Sequence, residues 1–410
     1  MTPGAARRGD QLRLCFVADH RSPIAQQWIQ LVEQQGHVVQ LISSRWPGED
    51  ADTSYEPLGP PAVIEHLARH RRRTDGDHRP PDVLQSLRLR PAALRLASLL
   101  GPLELRRHVP GLRRQIDRFD PDLVHAMRIP YEGMAASLAV GDRPLVTSIW
   151  GNDLTLQAPK SSLMASATRR VLARTDALHT DCARDLALAG SWGFDGRKPA
   201  LIVPGSGGVD RRRFHPGTSP LRAELGIPAG AQVILNPRGL REYVHIPEFL
   251  NAARRVLVQR PDAHIICTGF LGQGWIERRV VAWPERSRLH LLPTVTHDKM
   301  ADVYRAADVS ASLTSHDGTP NTLLESLACE CLPVVGPVAS VLEWIKDGAN
   351  GLVVTPTDVD AVAATLLRAL DDEPLRLRSA STNTRMIAER ADLDTCMARA
   401  VQFYRTLLPA

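Results

Sequence analysis

The residues best suited to chemistry are two acids, Asp317 and Glu325, which flank a sequence typical of a helix start. Thr319 followed by Pro320 predicts an N-cap and a first helical residue, because threonine caps amides and proline needs no amide partner there. The amides and the dipole of such a helix start favour an anion such as a phosphate. Because a carboxylate repels phosphate, we expect the two acids to bind hydroxyl groups, as on a ribose or another sugar. This combination indicates a site for a nucleotide sugar.

Short apolar runs that alternate with helical segments must position this site. The strand predicted over residues 309–313 ends directly before the loop that carries the first acid. The same alternation begins with strands at 12–17 and 37–42, which a helix over 24–35 joins. Such units build parallel sheets, which bind ligands at the carboxyl ends of their strands. Further strands are predicted at 123–126, 145–149, 177–180, 201–203, 232–235, 264–268, 289–292, 333–335 and 352–354.

The length of the chain predicts two domains. A single hydrophobic core rarely organises more than about 250–300 residues, and this chain has 410. A Gly/Pro-rich connection that begins near Phe214 separates the two series of strands. We therefore predict an α/β protein of two doubly wound, Rossmann-like domains, over 1–214 and over 215–390. The family resemblance described below makes the first of them the acceptor-side domain and the second the nucleotide-sugar-binding domain. The last segment, 391–410, is expected to form a helix that packs back across the junction.

The sequence around the two acids resembles a known family. The string Asp317-Gly-Thr-Pro-Asn-Thr-Leu-Leu-Glu-Ser-Leu-Ala-Cys is followed by Leu332-Pro-Val-Val and by Asp347-Gly-Ala-Asn-Gly. With Trp150-Gly-Asn-Asp in the first half, these motifs resemble the retaining family 4 glycosyltransferases of GT-B fold. The resemblance implies two domains that face each other across a cleft. It also implies transfer of a sugar from a UDP- or GDP-sugar to an acceptor hydroxyl with retention, in the synthesis of cell-envelope glycans, exopolysaccharides or glycoconjugates.

The resemblance assigns roles to residues of the second half. Glu325 matches the family's acid that holds the nucleotide ribose, and Asp317 matches the acid that contacts the transferred sugar, although most members carry glutamate there. Arg238 fits the cation that clamps the diphosphate. Arg241 is either the replacement for a clamp lysine that this chain lacks or a surface cation. Further donor contacts are expected from Gly318, Thr319, Pro320, Asn321 and Leu324.

Other predicted site residues lie in the first half. His125, at the end of a predicted strand, resembles the family's histidine that approaches the donor sugar, and with Asp317 and Arg238 it completes the predicted catalytic set. A core histidine explains it equally well. Asp153 either faces the acceptor or caps the next helix. Where many members carry a glycine pair that closes on the donor phosphates, this chain has Asp19, His20 and Arg21. With Asp153, these three are the candidates for binding the acceptor, an unidentified glycan or lipid-linked glycan.

The same residues bear on other functions that α/β proteins have. A dinucleotide dehydrogenase is not supported, because no G-x-G-x-x-G loop follows the first strand. No metal or other cofactor is expected, because none of the Asp-x-Asp pairs follows an apolar strand. A sugar-nucleotide epimerase of the same fold and a non-catalytic sugar-nucleotide-binding protein remain as alternatives.

The composition of the chain limits the classes of partner and the cellular location that we expect. The formal net charge of +5 is not accompanied by RNA-binding aromatic motifs or a zinc-finger pattern, so nucleic acid is not expected as a partner. The absence of a signal peptide and of a spanning apolar run predicts a cytoplasmic protein. The arginine-rich segment 70–118 is either a solvated helical hairpin or a basic surface that contacts anionic lipid at the inner face of the membrane. The six scattered cysteines predict reduced, buried thiols.

Overall fold

The computed structural model describes residues 11–44, 56–57, 101–103 and 105–408. This part of the chain forms two compact units. The first contains the described residues up to Asp181, together with Asp185–Ser206 and the residues from Arg399 onward. The second contains Cys182–Arg184 and Gly207–Ala398. The change of unit after Ser206 precedes the predicted boundary at residue 214.

The first unit is built on a parallel sheet. Its described strands are β1 (Arg13–Ala18), β2 (Val38–Ser43), β3 (Glu56–Pro57), β4 (Leu123–Ala126), β5 (Leu145–Ile149), β6 (Ala177–Thr180) and β7 (Ala200–Ile202). They lie in the order β3-β2-β1-β4-β5-β6-β7, and each neighbouring pair is parallel. The chain moves outward from β1 to β3 and then returns to the other side of β1 as β4. The order of the sheet therefore reverses between β1 and β4.

The helices of this unit cover the sheet. They are α1 (Pro23–Gln34), α2 (Val109–Phe119), α3 (Met134–Ala139), α4 (Ser162–Arg174) and α5 (Ala183–Ser191), of which α5 begins within the short stretch grouped with the second unit. The sequence of α1 shows why it forms where it does. The Ser22 hydroxyl accepts a hydrogen bond from the amide of Ala25, proline occupies the first turn, and Gly36 has a φ of +88° just after the helix ends. The face that carries Trp28 and Val32 is buried.

The second unit repeats this design. Its described strands are β8 (Gln232–Asn236), β9 (Ala263–Cys267), β10 (Leu289–Leu291), β11 (Val309–Ser312), β12 (Leu332–Val335) and β13 (Leu352–Val353). They lie in the order β10-β9-β8-β11-β12-β13, and each neighbouring pair is parallel. The order of this sheet reverses between β8 and β11. Its helices are α6 (Leu221–Glu224), α7 (Ile246–Gln259), α8 (Gly274–Val280), α9 (His297–Arg305), α10 (Asn321–Ala328), α11 (Val359–Asp371), α12 (Glu373–Arg390) and α13 (Leu393–Thr406), whose last residues belong to the first unit.

Both faces of the second sheet are buried. Along β8, Ile234 packs into one hydrophobic cluster, whereas Val233 and Leu235 pack into another. This alternation places one cluster on each face of the sheet, because successive side chains of a strand point to opposite sides. The predicted α/β class with two doubly wound parallel sheets is confirmed.

Three further predictions concern the surface and the thiols. All six cysteines are free and buried, as predicted. Within the described residues, no helix combines the length and the apolar character that crossing a membrane requires. Most of the arginine-rich segment 70–118 lies outside the described residues, so its role as a membrane contact stays a prediction.

Candidate functional site

Arg238 and Asp317 form the centre of the candidate site in the second unit. Arg238 follows the end of β8, and Asp317 lies in the loop after β11. Because β8 and β11 are neighbouring parallel strands, these loops meet where the strand order reverses. Arg238 Nη2 donates a hydrogen bond to Asp317 Oδ2 over 2.7 Å, and Arg238 Nη1 donates to Thr322 Oγ1 over 3.1 Å. The guanidinium therefore joins the loop after β11 to the start of α10.

Asp317 is held through both its side chain and its backbone. Its Oδ1 accepts a hydrogen bond from the amide of Gly318 over 3.1 Å. Its backbone carbonyl accepts hydrogen bonds from Ser340 Oγ over 2.8 Å and from Arg184 Nη1 over 2.6 Å. Burial raises the pKa of the Asp317 carboxyl, and the positive charge of Arg238 opposes this shift. The acid is therefore fixed in orientation beside its cation.

The helix after this loop begins one residue later than predicted. Pro320 occupies the capping position of α10 with φ −70° and ψ 127°, and Asn321 is the first helical residue. The prediction of Thr319 as the N-cap is wrong, because its hydroxyl accepts a hydrogen bond from Trp344 Nε1 over 3.3 Å and no side chain caps the helix. The backbone carbonyl of Pro320 accepts the first hydrogen bonds of the helix, from the amides of Leu323 and Leu324.

Glu325 lies on α10, is only 7% exposed and contacts two residues of α9. Its Oε1 lies 3.0 Å from His297 Nε2, and the hydroxyl of Tyr304 donates to Oε2 over 3.0 Å. Phe214 packs against both of these rings. Burial, with Glu325 beside it, raises the pKa of Tyr304 well above its ordinary value, so this hydroxyl keeps its proton at neutral pH. Because a carboxylate has about four acceptor positions, two hydrogen bonds leave capacity for hydroxyl ligands.

The other residues that the sequence predicts to bind the nucleotide-sugar donor differ in their surroundings. Arg241 is exposed, and in the described part of the chain its guanidinium donates only to the carbonyl of Leu240, over 3.3 Å. Leu324 is 1% exposed and belongs to a hydrophobic cluster, so its side chain supports α10 from the core. At the start of the helix, Gly318, Thr319 and Pro320 are buried and Asn321 is partly buried.

His125 lies in the core of the first unit. It is 0% exposed, and its Nδ1 and Nε2 lie 2.8 Å from the hydroxyls of Tyr404 and Ser148 respectively. Trp28 Nε1 donates to the same tyrosine hydroxyl over 2.9 Å. Burial lowers the pKa of His125 well below its ordinary value, and His179 adds to this effect. This geometry matches the alternative explanation, a core histidine, and we give His125 no place in the mechanism proposed below.

Asp153 is fully buried in the first unit, where it binds Arg128. Its Oδ1 accepts a hydrogen bond from Arg128 Nε over 2.7 Å. Its Oδ2 accepts hydrogen bonds from the amides of Ile129 and Trp150, each over 3.3 Å. A side chain with 0% exposure does not face an acceptor, and these partners are not the amides of a following helix. Both predicted roles of Asp153 are therefore replaced by one: it orients Arg128.

The three residues after β1 form local contacts. Asp19 Oδ1 accepts hydrogen bonds from the backbone amide of Arg21 over 3.0 Å and from its guanidinium Nε over 3.1 Å. His20 Nδ1 lies 2.8 Å from the hydroxyl of Ser43 at the end of β2. Of the three, Asp19 lines a pocket of the first unit.

The sequence did not reveal several residues that the structure places at these sites. His297 and Tyr304 hold Glu325 but come from a separate helix, and no spacing along the chain links that helix to the acid. Arg128 and Glu132 line the pocket of the first unit. The signal that could have found Arg128 is its position just after β4, because ligands bind at the carboxyl ends of parallel strands.

Two family models match this chain. Residues 4–205 match the model described as "Glycosyl transferase 4-like domain", and residues 218–386 match "Glycosyl transferases group 1". Among curated proteins, the chain is 27% identical over 266 residues to a D-inositol 3-phosphate glycosyltransferase of Geodermatophilus obscurus, covering 62% of this chain and 55% of that protein. It is 30% identical over 282 residues to the enzyme of the same name from Kineococcus radiotolerans, covering 63% and 60%. The alignments therefore span less than two thirds of these relatives.

Solved structures show the same fold at low sequence identity. The sucrose-phosphate synthase of Thermosynechococcus elongatus superposes with a TM-score of 0.74 at 14% identity, over 97% of this chain and 99% of that one. Anabaena Alr3699/HepE, solved in complex with UDP-glucose, has a TM-score of 0.68 at 15% identity, with the same coverage of 97% and 99%.

Proposed function

Because this chain belongs to the family 4 glycosyltransferases of GT-B fold, we propose that it transfers a sugar from a nucleoside-diphosphate sugar to an acceptor hydroxyl. The observation that carries the proposal is the grouping of Arg238, Asp317 and Glu325 around the strand reversal of the second unit. The curated relatives, which are named as glycosyltransferases, and the neighbour solved with UDP-glucose support it.

In this proposal, Arg238 and the start of α10 bind the diphosphate. The guanidinium is a rigid planar fork whose contacts to Asp317 and Thr322 already fix its position. A fixed cation beside a helix N-terminus stabilises negative charge that develops as the diphosphate departs. Arg241, whose side chain is exposed in the same loop, is proposed as a second cation.

The two acids bind hydroxyl groups of the donor. Glu325 is proposed to accept hydrogen bonds from the ribose through the positions that His297 and Tyr304 leave open. Asp317 is proposed to contact the transferred sugar, because Arg238 fixes its carboxyl next to the diphosphate position. The product is expected to keep the anomeric configuration of the donor, with a UDP- or GDP-hexose as donor and without a metal ion. We place the reaction in the synthesis of envelope glycans or other glycoconjugates.

The epimerase and the non-catalytic binding protein are not favoured, because the matching family models and the curated relatives described above carry the names of glycosyltransferases. An epimerase would form an isomeric nucleotide sugar without any acceptor. A binding protein would release no nucleoside diphosphate in any mixture.

The test is a panel of UDP-, GDP- and ADP-sugars incubated with the protein, with and without candidate glycan acceptors. Nucleoside diphosphate release and the product sugars are followed by chromatography and mass spectrometry. We expect release that depends on an acceptor and a new glycoside whose linkage NMR identifies. An isomerised donor without acceptor, or the absence of any product across the panel, would contradict the proposal.

A further inference from the structure

Glu325, the acid proposed to bind the ribose, is held by two side chains of α9. His297 is the first residue of that helix, and Tyr304 lies seven residues later. At 3.6 residues per turn, this spacing places both side chains on one face of α9. Residues of α9 and α10 belong to one hydrophobic cluster, which brings this face against the acid. His297 Nε2 lies 3.0 Å from Oε1 of Glu325, and the Tyr304 hydroxyl donates to Oε2 over 3.0 Å.

The contacts of His297 determine which of its nitrogens carries the proton. Its Nδ1 lies 3.2 Å from Nη1 of Arg213. A guanidinium only donates, so Nδ1 is the acceptor in this contact. A carboxylate only accepts, so Nε2 is the donor to Glu325. The two neighbours therefore require the same tautomer, with the proton on Nε2.

Arg213 is itself fixed by the chain around it. Its amide donates to the carbonyl of Asp210 over 3.0 Å, and its own carbonyl accepts a hydrogen bond from Nη1 of Arg305 over 3.1 Å. The guanidinium Nη1 of Arg213 also lies 2.9 Å from Oδ1 of Asp298. Because both the backbone and the side chain of Arg213 are held, its contact to the histidine ring has a defined direction.

Packing completes the support of the two rings. Phe214 is 2% exposed, and its ring centre lies 5.2 Å from that of His297 and 6.1 Å from that of Tyr304. The side chain of His297 is 45% exposed, whereas that of Glu325 is 9% exposed. Holding a half-exposed ring in one orientation costs conformational entropy, and here a packed face and contacts at both nitrogens enforce that orientation. Support of this kind is expected around a group whose orientation matters for a ligand.

We infer that His297 and Tyr304 are positioning residues that give the nucleotide site a preference for ribose over deoxyribose. A carboxylate held at both oxygens keeps its plane and presents its remaining lone pairs in one direction, which suits the hydroxyl groups of a ribose. The two donors also compensate the cost of burying the charge of Glu325, so the acid stays available as a strong acceptor. This inference rests on the proposed function, because it assumes that Glu325 binds the ribose.

Calorimetric titrations of UDP, 2′-deoxy-UDP and 3′-deoxy-UDP into the full chain test the inference. GDP or ADP, with the matching deoxy forms, replaces UDP if it binds the wild type more tightly. The quantity compared is the ribose preference, which is the Kd of a deoxy nucleotide divided by the Kd of the parent nucleotide. A residue that merely supports the fold changes these affinities alike, because the ligands differ only in one hydroxyl group. We expect the wild type to bind at least one deoxy form at least about tenfold more weakly than the parent.

His297→Phe keeps a ring against Phe214 but removes the donor to Glu325. We expect its ribose preference to be at least about fivefold smaller than that of the wild type. His297→Gln retains an N–H donor near the position of Nε2 and should keep most of the preference. His215→Phe, the same change at an exposed histidine of the second unit, is the matched control and should leave the preference unchanged. A ribose preference of His297→Phe equal to that of the control would overturn the inference.

Tyr304→Phe is the second variant, and it keeps the test decisive if His297→Phe does not fold. It retains the buried ring and removes only the hydroxyl that donates to Oε2 of Glu325. We expect its ribose preference to be at least about threefold smaller than that of the wild type. An unchanged or larger preference in Tyr304→Phe would overturn the inference.

The wild type separates this inference from the proposed function. If the wild type bound none of the nucleotides, the proposed donor site would be contradicted, and the inference with it. Equal binding of the parent nucleotide and both deoxy forms would contradict the ribose role of Glu325 in the same way. If the wild type prefers ribose and His297→Phe retains that preference, the inference fails alone and the proposed function stands.

Discussion

Acid is expected to destabilise the first unit through the buried histidine His179. Its ring centre lies 4.4 Å from that of Trp28, its Nδ1 lies 2.8 Å from Ser148 Oγ and its Nε2 lies 3.2 Å from the carbonyl oxygen of Val203. Because a carbonyl only accepts, Nε2 carries the proton, and Nδ1 accepts from the serine. Protonation of Nδ1 would break the hydrogen bond that it accepts from Ser148. Burial of the ring lowers the pKa of His179 from 6.5 to about 4.

The size of the effect follows from this shift. Between pH 6.5 and about 4, the unfolded chain binds a proton that the folded unit excludes, so the free energy of unfolding falls as the pH falls. The difference of 6.5 − 4, about 2.5 pH units, corresponds to roughly 3 kcal/mol at 1.36 kcal/mol per unit. About 2 kcal/mol of this is expected between pH 7 and pH 5, because the unfolded histidine is almost fully protonated at the lower value.

Urea unfolding of wild type and of His179→Gln at pH 7 and pH 5 measures this loss. The variant lacks the titrating ring, so its unfolding free energy should fall by about 2 kcal/mol less than that of the wild type over this interval. His215→Gln, at an exposed position of the second unit, is the control and should keep the wild-type pH dependence. If the unfolding free energy of His179→Gln fell between pH 7 and pH 5 by as much as that of the wild type, this reasoning would be refuted.

Three further predictions concern the second unit. Arg238→Gln should lower turnover by about 100-fold or more, measured by release of the nucleoside diphosphate, because a preorganised electrostatic contact to the leaving group is lost; the exposed Arg385→Gln should retain wild-type turnover. Transfer should proceed at full rate in excess EDTA, and a chelator-sensitive rate that Mg²⁺ restores would contradict the metal-free mechanism. Gly336→Ala should destabilise the unit by about 3 kcal/mol or more in thermal or urea unfolding, because the new Cβ would lie 2.1 Å from the carbonyl oxygen of Thr314. The same change at Gly230, where nothing lies within 4 Å, should alter stability by no more than about 0.5 kcal/mol.

The fold was predictable because its signals are local. Apolar runs alternate with amphipathic helices along the chain, and this pattern is typical of βαβ units and parallel sheets. Asp317 and Glu325 were recognised for a similar reason, since a single loop and a single helix carry both. The start of α10 was predicted one residue early because Trp344, distant in sequence, engages the hydroxyl of Thr319.

The environments of the site residues depend on tertiary contacts that the sequence pattern does not contain. His125 lies in β4 close to the carboxyl end of the strand, where ligand-binding residues are common, yet its ring nitrogens lie 2.8 Å from the hydroxyls of Tyr404 and Ser148 in the core. Asp153 was recognised as a candidate, but its partner Arg128 lies in another loop, and only the folded sheet brings the two together. A chain position thus indicates the end of the sheet at which a residue lies, whereas its partners decide whether it meets a ligand or supports another side chain.

Calorimetric titration of UDP tests the central claim, that Glu325 and Arg238 form a nucleotide site on the second unit, most directly. Glu325→Gln preserves side-chain volume and a contact to Tyr304 but removes the charged acceptor for the ribose hydroxyls. Glu389→Gln is the matched control at an exposed position. We predict that wild type and Glu389→Gln bind UDP with equal affinity and that Glu325→Gln binds it at least about tenfold more weakly. Equal affinity of all three proteins for UDP would contradict the account.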